Sequence, residues 1–307
     1  MKNFPENVIA IFTSVCHYRC RFCSNRLHIP DQWHWSLDEI KRLDPLWDHA
    51  KILNISGCGE VVTLPFFDQL MEYLDTKPGR ICISTNGHRI RPAMLRQSRL
   101  REIVISLHSL IPETYDELTG TKGLLPTVLK NTAEMMAKPH DYNAVIVAVM
   151  TEKNVREAPA IARFALDVGA DEARFLPLAD PVIVGVGKTY DEDIQFHETP
   201  ENLASIAEAN KIMGAKNKTV RGFLTAETRR EVVRRKMHTC QSPSGQIVIG
   251  MDGTVQPCCF IPPTCGFGNV LKQPWEDVWE GEKYETFRQQ VREGTCELCL
   301  EHCKNWG

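Results

Sequence analysis

Residues 8–23, VIAIFTSVCHYRCRFC, run from an apolar, β-branched stretch straight into three cysteines, Cys16, Cys20 and Cys23. An apolar run of this length with little polar alternation reads as a strand covered on both faces, the habit of parallel sheets. The pattern recurs at ILNIS (52–56), ICIST (81–85), IVISL (103–107), VIVAVM (145–150) and ARFLPL (173–178). Amphipathic helical segments lie between these runs. Ser36 and Glu39 have the spacing of a capping box, and Pro65 opens the helix predicted in PFFDQLMEYL. Two more helices are predicted in TVLKNTAEMMAK (127–138) and VREAPAIARFALDVG (155–169), the second closed by Gly169 as a C-cap. Six strands with crossover helices predict an α/β fold, a partial (β/α)6 TIM-like barrel over residues 1–185, open where eight strands would close it.

The pattern changes over 186–236 to charged helices, with Thr199 and Pro200 as a cap and first turn, which predicts a helical connector placed to wall a site. From 237 to 307, seven of the twelve cysteines lie among prolines and glycines, which predicts a small C-terminal cysteine-rich module.

The 307 residues are 43% hydrophobic, enough for a large core. A net charge of -3 supplies no overall basic field, so neither nucleic acid nor an anionic membrane is an expected partner. The apolar run near the N-terminus is too short for a signal peptide, and no stretch reaches the ~18 apolar residues of a membrane span. A cytoplasmic protein is expected, in which twelve cysteines point to metal or cluster ligation instead of disulfides.

Thiolates three or four residues apart on one loop can reach adjacent irons of one cubane, and three of them leave one iron open to a small molecule. A structural zinc site would want four closed ligands. CHYRCRFC is CxxxCxxC after a first strand, and with six βα units it resembles the radical S-adenosylmethionine (SAM) superfamily over most of the chain. The resemblance implies a 4Fe-4S cluster on Cys16, Cys20 and Cys23 whose open iron chelates SAM's methionine end, and reductive cleavage of SAM to a 5′-deoxyadenosyl radical that abstracts hydrogen from a carbon.

SGCGE (56–60) looks like the family's glycine-rich motif: Gly57 and Gly59 would let backbone approach the ligand, and Glu60 would hold the methionine amino group. Val61 stands where the family usually has proline. Phe22 is similar to the family's aromatic neighbour of the adenine, although a core phenylalanine fits that position equally well. By the same resemblance STNG ends the third strand, Ser106 is a SAM contact after the fourth, and Asn154 is a ribose contact after the fifth. His108 reads either as a base for a substrate hydroxyl or as a structural histidine. In HIPDQWHWS (28–36), His28, Asp31 and two tryptophans suit either a substrate wall or plain packing.

Near the C-terminus, Cys240 and Cys258 stand at the ends of a hairpin turned by MDGT (251–254), and CELCLEHC supplies Cys296, Cys299 and Cys303. Cys240, twelve residues, Gly253, four residues, Cys258 and a later CxxC resemble the twitch module, a shortened SPASM domain that holds an auxiliary 4Fe-4S cluster. The implied ligands are Cys240, Cys258, Cys296 and Cys299, with Cys303 an open replacement and a structural zinc the alternative occupant. Cys259 and Cys265 are left as hydrogen-atom donors or bland loop thiols, and Cys58 and Cys82 read as core residues.

These features predict a radical SAM oxidoreductase that oxidises an alcohol of a small sugar- or aminocyclitol-like substrate to a ketone, the auxiliary cluster accepting an electron. A redox-neutral epimerase using Cys259 or Cys265, a peptide-modifying maturase and a non-catalytic cluster or zinc protein are the alternatives. A flavodoxin- or ferredoxin-type electron donor is the expected protein partner, and RREVVRRK (229–236) is either a solvated helix face or its dock.

Overall fold

A computed structural model describes residues 4–23, 33–55, 58–95, 98–136, 140–178, 190–214 and 226–303. All six expected strands form: β1 (Asn7–Ala10), β2 (Ile52–Ile55), β3 (Arg80–Thr85), β4 (Leu100–Ser106), β5 (Asn143–Met150) and β6 (Glu172–Pro177). They pair in parallel in sequence order, β1 from Asn7 opposite Ile52 to Ala10 opposite Ile55. Ile103, Ile105, Ile146 and Ala148 are fully buried along β4 and β5, as strands covered on both faces require.

The main helices are α1 (Leu37–Lys41), α2 (Phe67–Asp75), α3 (Pro112–Thr119), α4 (Leu125–Met136), α5 (Ala158–Asp167), α6 (Pro200–Met213), α7 (Ala226–Lys236), α8 (Glu282–Glu293) and α9 (Glu297–His302). Ser36 and Glu39 make both bonds of the capping box at α1, and Thr199 caps α6 with Pro200 in its first turn. Gly169, at φ +84°, follows the last turn of α5, whose Ala165 carbonyl accepts the Ala170 N–H at 2.8 Å. The helix expected to open at Pro65 begins later, at Phe67, because no side chain caps it and Pro65 and Phe66 form a turn ahead of it. Helix α5 buries Ile161, Ala162 and Ala165, and α6 lies directly over it.

The C-terminal module is not separate from the barrel. Its hairpin, β7 (Gln246–Ile249) and β8 (Val255–Gln256), continues the sheet in the order β6-β5-β4-β3-β2-β1-β7-β8, with β7 parallel to β1. An open six-stranded sheet leaves unpaired backbone at β1, and β7 covers that edge. Strand β1 leads into the first cysteine group, so both cysteine groups hang on neighbouring strands. No described helix is long and apolar enough to cross a membrane.

Candidate functional site

The loop after β1 is pinned between its cysteines. The Arg19 and Arg21 N–H groups donate to the carbonyls of Thr119 and Leu118 at the end of α3, both at 2.9 Å, and the Tyr18 hydroxyl meets that of Tyr115 at 3.0 Å. Cys16, Cys20 and Cys23 are half-buried, and the Tyr18 N–H donates to Cys16 Sγ at 3.4 Å. Burial pushes the Cys16 thiol up to about 11 and Cys20 further; Glu60 and Cys23 raise Cys16 again, and Cys23, Cys16 and Glu60 raise Cys20. Three half-buried thiols on one loop form a donor set that a positive iron cluster suits, since ligation favours the thiolate that burial disfavours at Cys16 and Cys20. Cys58, set aside above as core, is half-buried and within electrostatic reach of Cys23. Cys82 is a buried strand residue.

Glu60 is 3% exposed and joins the glycine motif to that loop, its N–H donating to the Val15 carbonyl at 2.9 Å. Thr85 Oγ1 donates to Glu60 Oε1 at 2.8 Å, and the Asn86 N–H donates to Oε2 at 2.7 Å. Burial pushes the carboxyl up to about 7, against the pull of the Asn86, Thr85 and Val62 donors. Gly59 has a packing role that the sequence did not indicate. A Cβ there would stand 2.5 Å from the Thr13 carbonyl oxygen and 2.8 Å from that of Val15, so its bareness serves the approach of two loops. Gly57, His28 and Asp31 lie outside the described residues.

Asn86 tests the fit to the amino acid end of SAM. It is 9% exposed, its Oδ1 accepts the His88 N–H at 3.0 Å, and its buried Nδ2 has no hydrogen-bond partner among the described residues. A free N–H2 beside a carboxylate with a spare lone pair suits the carboxylate and amino ends of an amino acid, so the residues fit the methionine end of SAM. The sequence pointed to STNG without singling out this side chain.

The remaining strand-end residues divide. Ser106, half-buried at the end of β4, makes no side-chain hydrogen bond among the described residues. Phe22 packs edge-on to His108 at 4.6 Å and joins Leu118, Tyr190, Ile194 and Leu178 in a small cluster. His108 is corrected as a base: the Val149 N–H donates to its Nδ1 at 3.1 Å, which leaves the proton on Nε2, and burial pushes its pKa down to about 4. It can donate a hydrogen bond but not accept a proton. Asn154 is corrected as a ribose contact. Its Nδ2 donates to the carbonyls of His108 and Val149 at 2.6 and 2.8 Å, and its Oδ1 accepts from the Thr151 N–H and hydroxyl at 2.7 and 2.9 Å, which uses the whole side chain.

Two features were not foreseen. His17, inside the cysteine motif, meets His88 Nδ1 through Nε2 at 2.9 Å. Arg21 fans onto Glu117, Asp191 and Asp193 at 2.8, 3.0 and 2.7 Å, tying the cysteine loop to α3 and to the chain after β6. Trp35 is a fully buried core residue whose Nε1 donates to the Met251 carbonyl at 2.6 Å, so packing is the outcome for that part of the loop.

The second thiol group gathers at the open end of the β7–β8 hairpin. Cys240, Cys258, Cys299 and Cys303 line one small cavity with Met237, Phe260, Ile261 and Phe287. Cys296 is fully buried at the N-cap of α9, and the neighbouring Cys299 thiol holds its own thiol below the ordinary range. Cys259 is exposed and hydrogen-bonded through its thiol to Cys258, which draws it into this group. Cys265 follows in a half-buried 3-10 turn. The donor chemistry, all sulfur around a cavity with apolar walls, fits an iron-sulfur cluster.

Comparison with known proteins matches both regions of the chain. The family model described as "Radical SAM superfamily" matches residues 10–165, and the SPASM model, described as an iron-sulfur cluster-binding domain, matches 240–304. The chain is 24% identical to the tungsten-containing aldehyde ferredoxin oxidoreductase cofactor-modifying protein of Pyrococcus furiosus, over 90% of this chain and 81% of that protein. It is also 24% identical to the antilisterial bacteriocin subtilosin biosynthesis protein AlbA of Bacillus subtilis, over 97% of this chain but 65% of that one. Among solved structures, Streptococcus suis SuiB shares the fold with a TM-score of 0.72 at 15% identity, over 97% of this chain and 72% of SuiB. BtrN in complex with AdoMet and 2-DOIA superposes with a TM-score of 0.54 at 14% identity, over 99% of this chain and 95% of BtrN.

Proposed function

Because this chain belongs to the radical SAM superfamily, with a SPASM iron-sulfur domain after the barrel, we propose that it oxidises an alcohol carbon of a small sugar- or aminocyclitol-like substrate to a ketone. Its cofactors are SAM, a SAM-binding 4Fe-4S cluster and auxiliary iron-sulfur. When bound, cluster and SAM supply a 5′-deoxyadenosyl radical that takes one hydrogen atom from the substrate. The chain's own groups bind and orient: Cys16, Cys20 and Cys23 as cluster ligands, Glu60 for the methionine amino group, Asn86 Nδ2 for its carboxylate, and Ser106 for a polar contact nearby.

The single observation that carries oxidation is the second set of thiols around one cavity. Removing two hydrogens from an alcohol leaves, after the first atom is taken, a proton and an electron, and the electron needs an acceptor held by the protein. Inversion needs none, and of its two candidate hydrogen donors Cys259 is engaged with Cys258 and Cys265 sits in a half-buried 3-10 turn. We assign the auxiliary ligands to Cys240, Cys258, Cys299 and Cys303, which share the cavity. Cys303→Ala is therefore expected to lose the auxiliary iron, about four atoms per chain, while Cys296→Ala retains most of it; iron analysis checks both.

Peptide modification is the second reading, favoured by the likeness to AlbA and SuiB. The test is anaerobic turnover with dithionite and SAM on aminocyclitols and hexoses, beside serine- and cysteine-containing peptides. Alcohol oxidation gives a product two hydrogens lighter and one 5′-deoxyadenosine per product. A product of unchanged mass, or turnover of peptides alone, rejects it. A flavodoxin- or ferredoxin-type protein is the proposed physiological reductant.

Glu60 gives a pH signature. A carboxyl with its pKa near 7 is neutral in acid and accepts an amino N–H better once ionised, so SAM binding strengthens as pH rises through about 7. Glu60→Gln removes that slope and weakens binding at pH ~8 by roughly 10- to 100-fold, the size of a hydrogen bond to a charged group. Calorimetric titration of SAM across pH reads both.

A further inference from the structure

Helix α7 takes no part in the site above, and it concentrates positive charge in a chain whose net charge is negative. Arg229, Arg230, Arg234, Arg235 and Lys236 stand on it against Glu227 and Glu231. Val233 is its buried anchor, while Arg230, Arg234, Arg235, Lys236 and the following His238 are exposed. Among the described side chains Arg230 pairs with Glu297 at 3.4 Å and Arg235 with Glu231 at 3.8 Å, both solvent-exposed pairs of the kind that contributes little. Arg234 and Lys236 make no ion pair among the described residues. Basic groups in the last turn offset the helix dipole, but one or two would suffice for that.

The position of the helix gives the charge a use. Helix α7 packs against α9, which carries Cys299 and ends at Cys303. Lys236 is followed directly by Met237, a wall of the thiol cavity, and four residues on by Cys240. We infer that the exposed basic face of α7 docks a small acidic one-electron carrier protein of the flavodoxin or ferredoxin class beside the auxiliary site. The inference rests on the reading of that cavity as an iron-sulfur site. In oxidative turnover the substrate's second hydrogen leaves as a proton to solvent and an electron through this site, and the oxidised carrier is reduced by that one electron. Redox encounters use small interfaces and depend on charge steering, which suits a single helix face.

The test uses the full reconstituted chain and an oxidised, acidic bacterial flavodoxin as probe, with binding measured at low and high salt. The double variant Arg234→Glu/Lys236→Glu is expected to weaken binding about 10-fold or more at low salt, a difference that shrinks at high salt. The control Lys41→Glu/Lys130→Glu, with the same change in net charge, leaves binding as it was. Iron content and dithionite-driven 5′-deoxyadenosine stay at wild-type levels in both variants. The inference is overturned if flavodoxin does not bind the wild type, if the α7 reversal leaves affinity unchanged, or if the control weakens it equally. It is also overturned if the reversal spares flavodoxin and instead weakens binding of an acidic peptide, which would assign α7 to substrate recognition. A wild-type chain with only about four irons fails at the earlier step, the cluster reading itself, and iron analysis tells that case apart.

Discussion

Alanine at Cys16, Cys20 and Cys23 together is expected to abolish reductant-dependent 5′-deoxyadenosine and to remove about four irons per chain, while the auxiliary iron remains. The three thiols come from one loop and have no described substitute: Cys58 is within electrostatic reach of Cys23 but belongs to the glycine motif, on a different turn. The loop's backbone is held independently of any metal, by α3 and by the Arg21 carboxylates. The variant is therefore expected to fold. Circular dichroism checks the fold, iron and sulfide analysis the cluster, and chromatography the deoxyadenosine. Loss of fold together with activity would show that the loop depends on its thiols for more than ligation.

The second large effect is expected from a single methyl group. Gly59→Ala places a Cβ 2.5 Å from one backbone carbonyl oxygen and 2.8 Å from another, and backbone cannot step aside as a flexible side chain can. Either the Thr13–Val15 segment or the Glu60 turn must move. That movement breaks the bond from the Glu60 N–H to the Val15 carbonyl and shifts Cys16, the next residue along. A destabilisation of about 3 kcal/mol is expected, in the upper range for overpacking, with impaired iron loading and SAM binding. Gly245→Ala is the control, since nothing lies within 4 Å of a Cβ there and its φ is not left-handed. Denaturant unfolding of both variants, with iron analysis, measures the contrast. Equal stability of the two would show that the glycine motif and cysteine loop are not packed as described.

Much of the architecture was legible because it is written in local patterns. The six strands declare themselves by apolar, β-branched runs, and Ser36, Thr199 and Gly169 mark helix ends through bonds that span three to five residues. The union of barrel and C-terminal module was not legible. It depends on β7 meeting β1, with Asn7 Nδ2 donating to Gln246 Oε1 at 3.1 Å across 239 residues of sequence, and no local pattern encodes that contact.

The site divides along the same line. Cysteine spacing announces both thiol groups, whereas the roles of His108 and Asn154 turn on bonds to the backbone of β5, of its following turn and of the residues after β4. Those bonds use the lone pairs and protons that the expected roles required. Asn86 is the converse case: one residue in a legible STNG, it stands out only because the fold buries its amide beside Glu60 and leaves one end unbonded.

The most direct test of the central claim, a radical SAM enzyme with two clusters, is anaerobic reconstitution of the wild-type chain with iron and sulfide counting and a dithionite-dependent assay for 5′-deoxyadenosine. The account predicts about eight irons per chain and deoxyadenosine that forms only when SAM and reductant are both present. Tightly held zinc in place of iron, with no deoxyadenosine under any reducing condition, would contradict it.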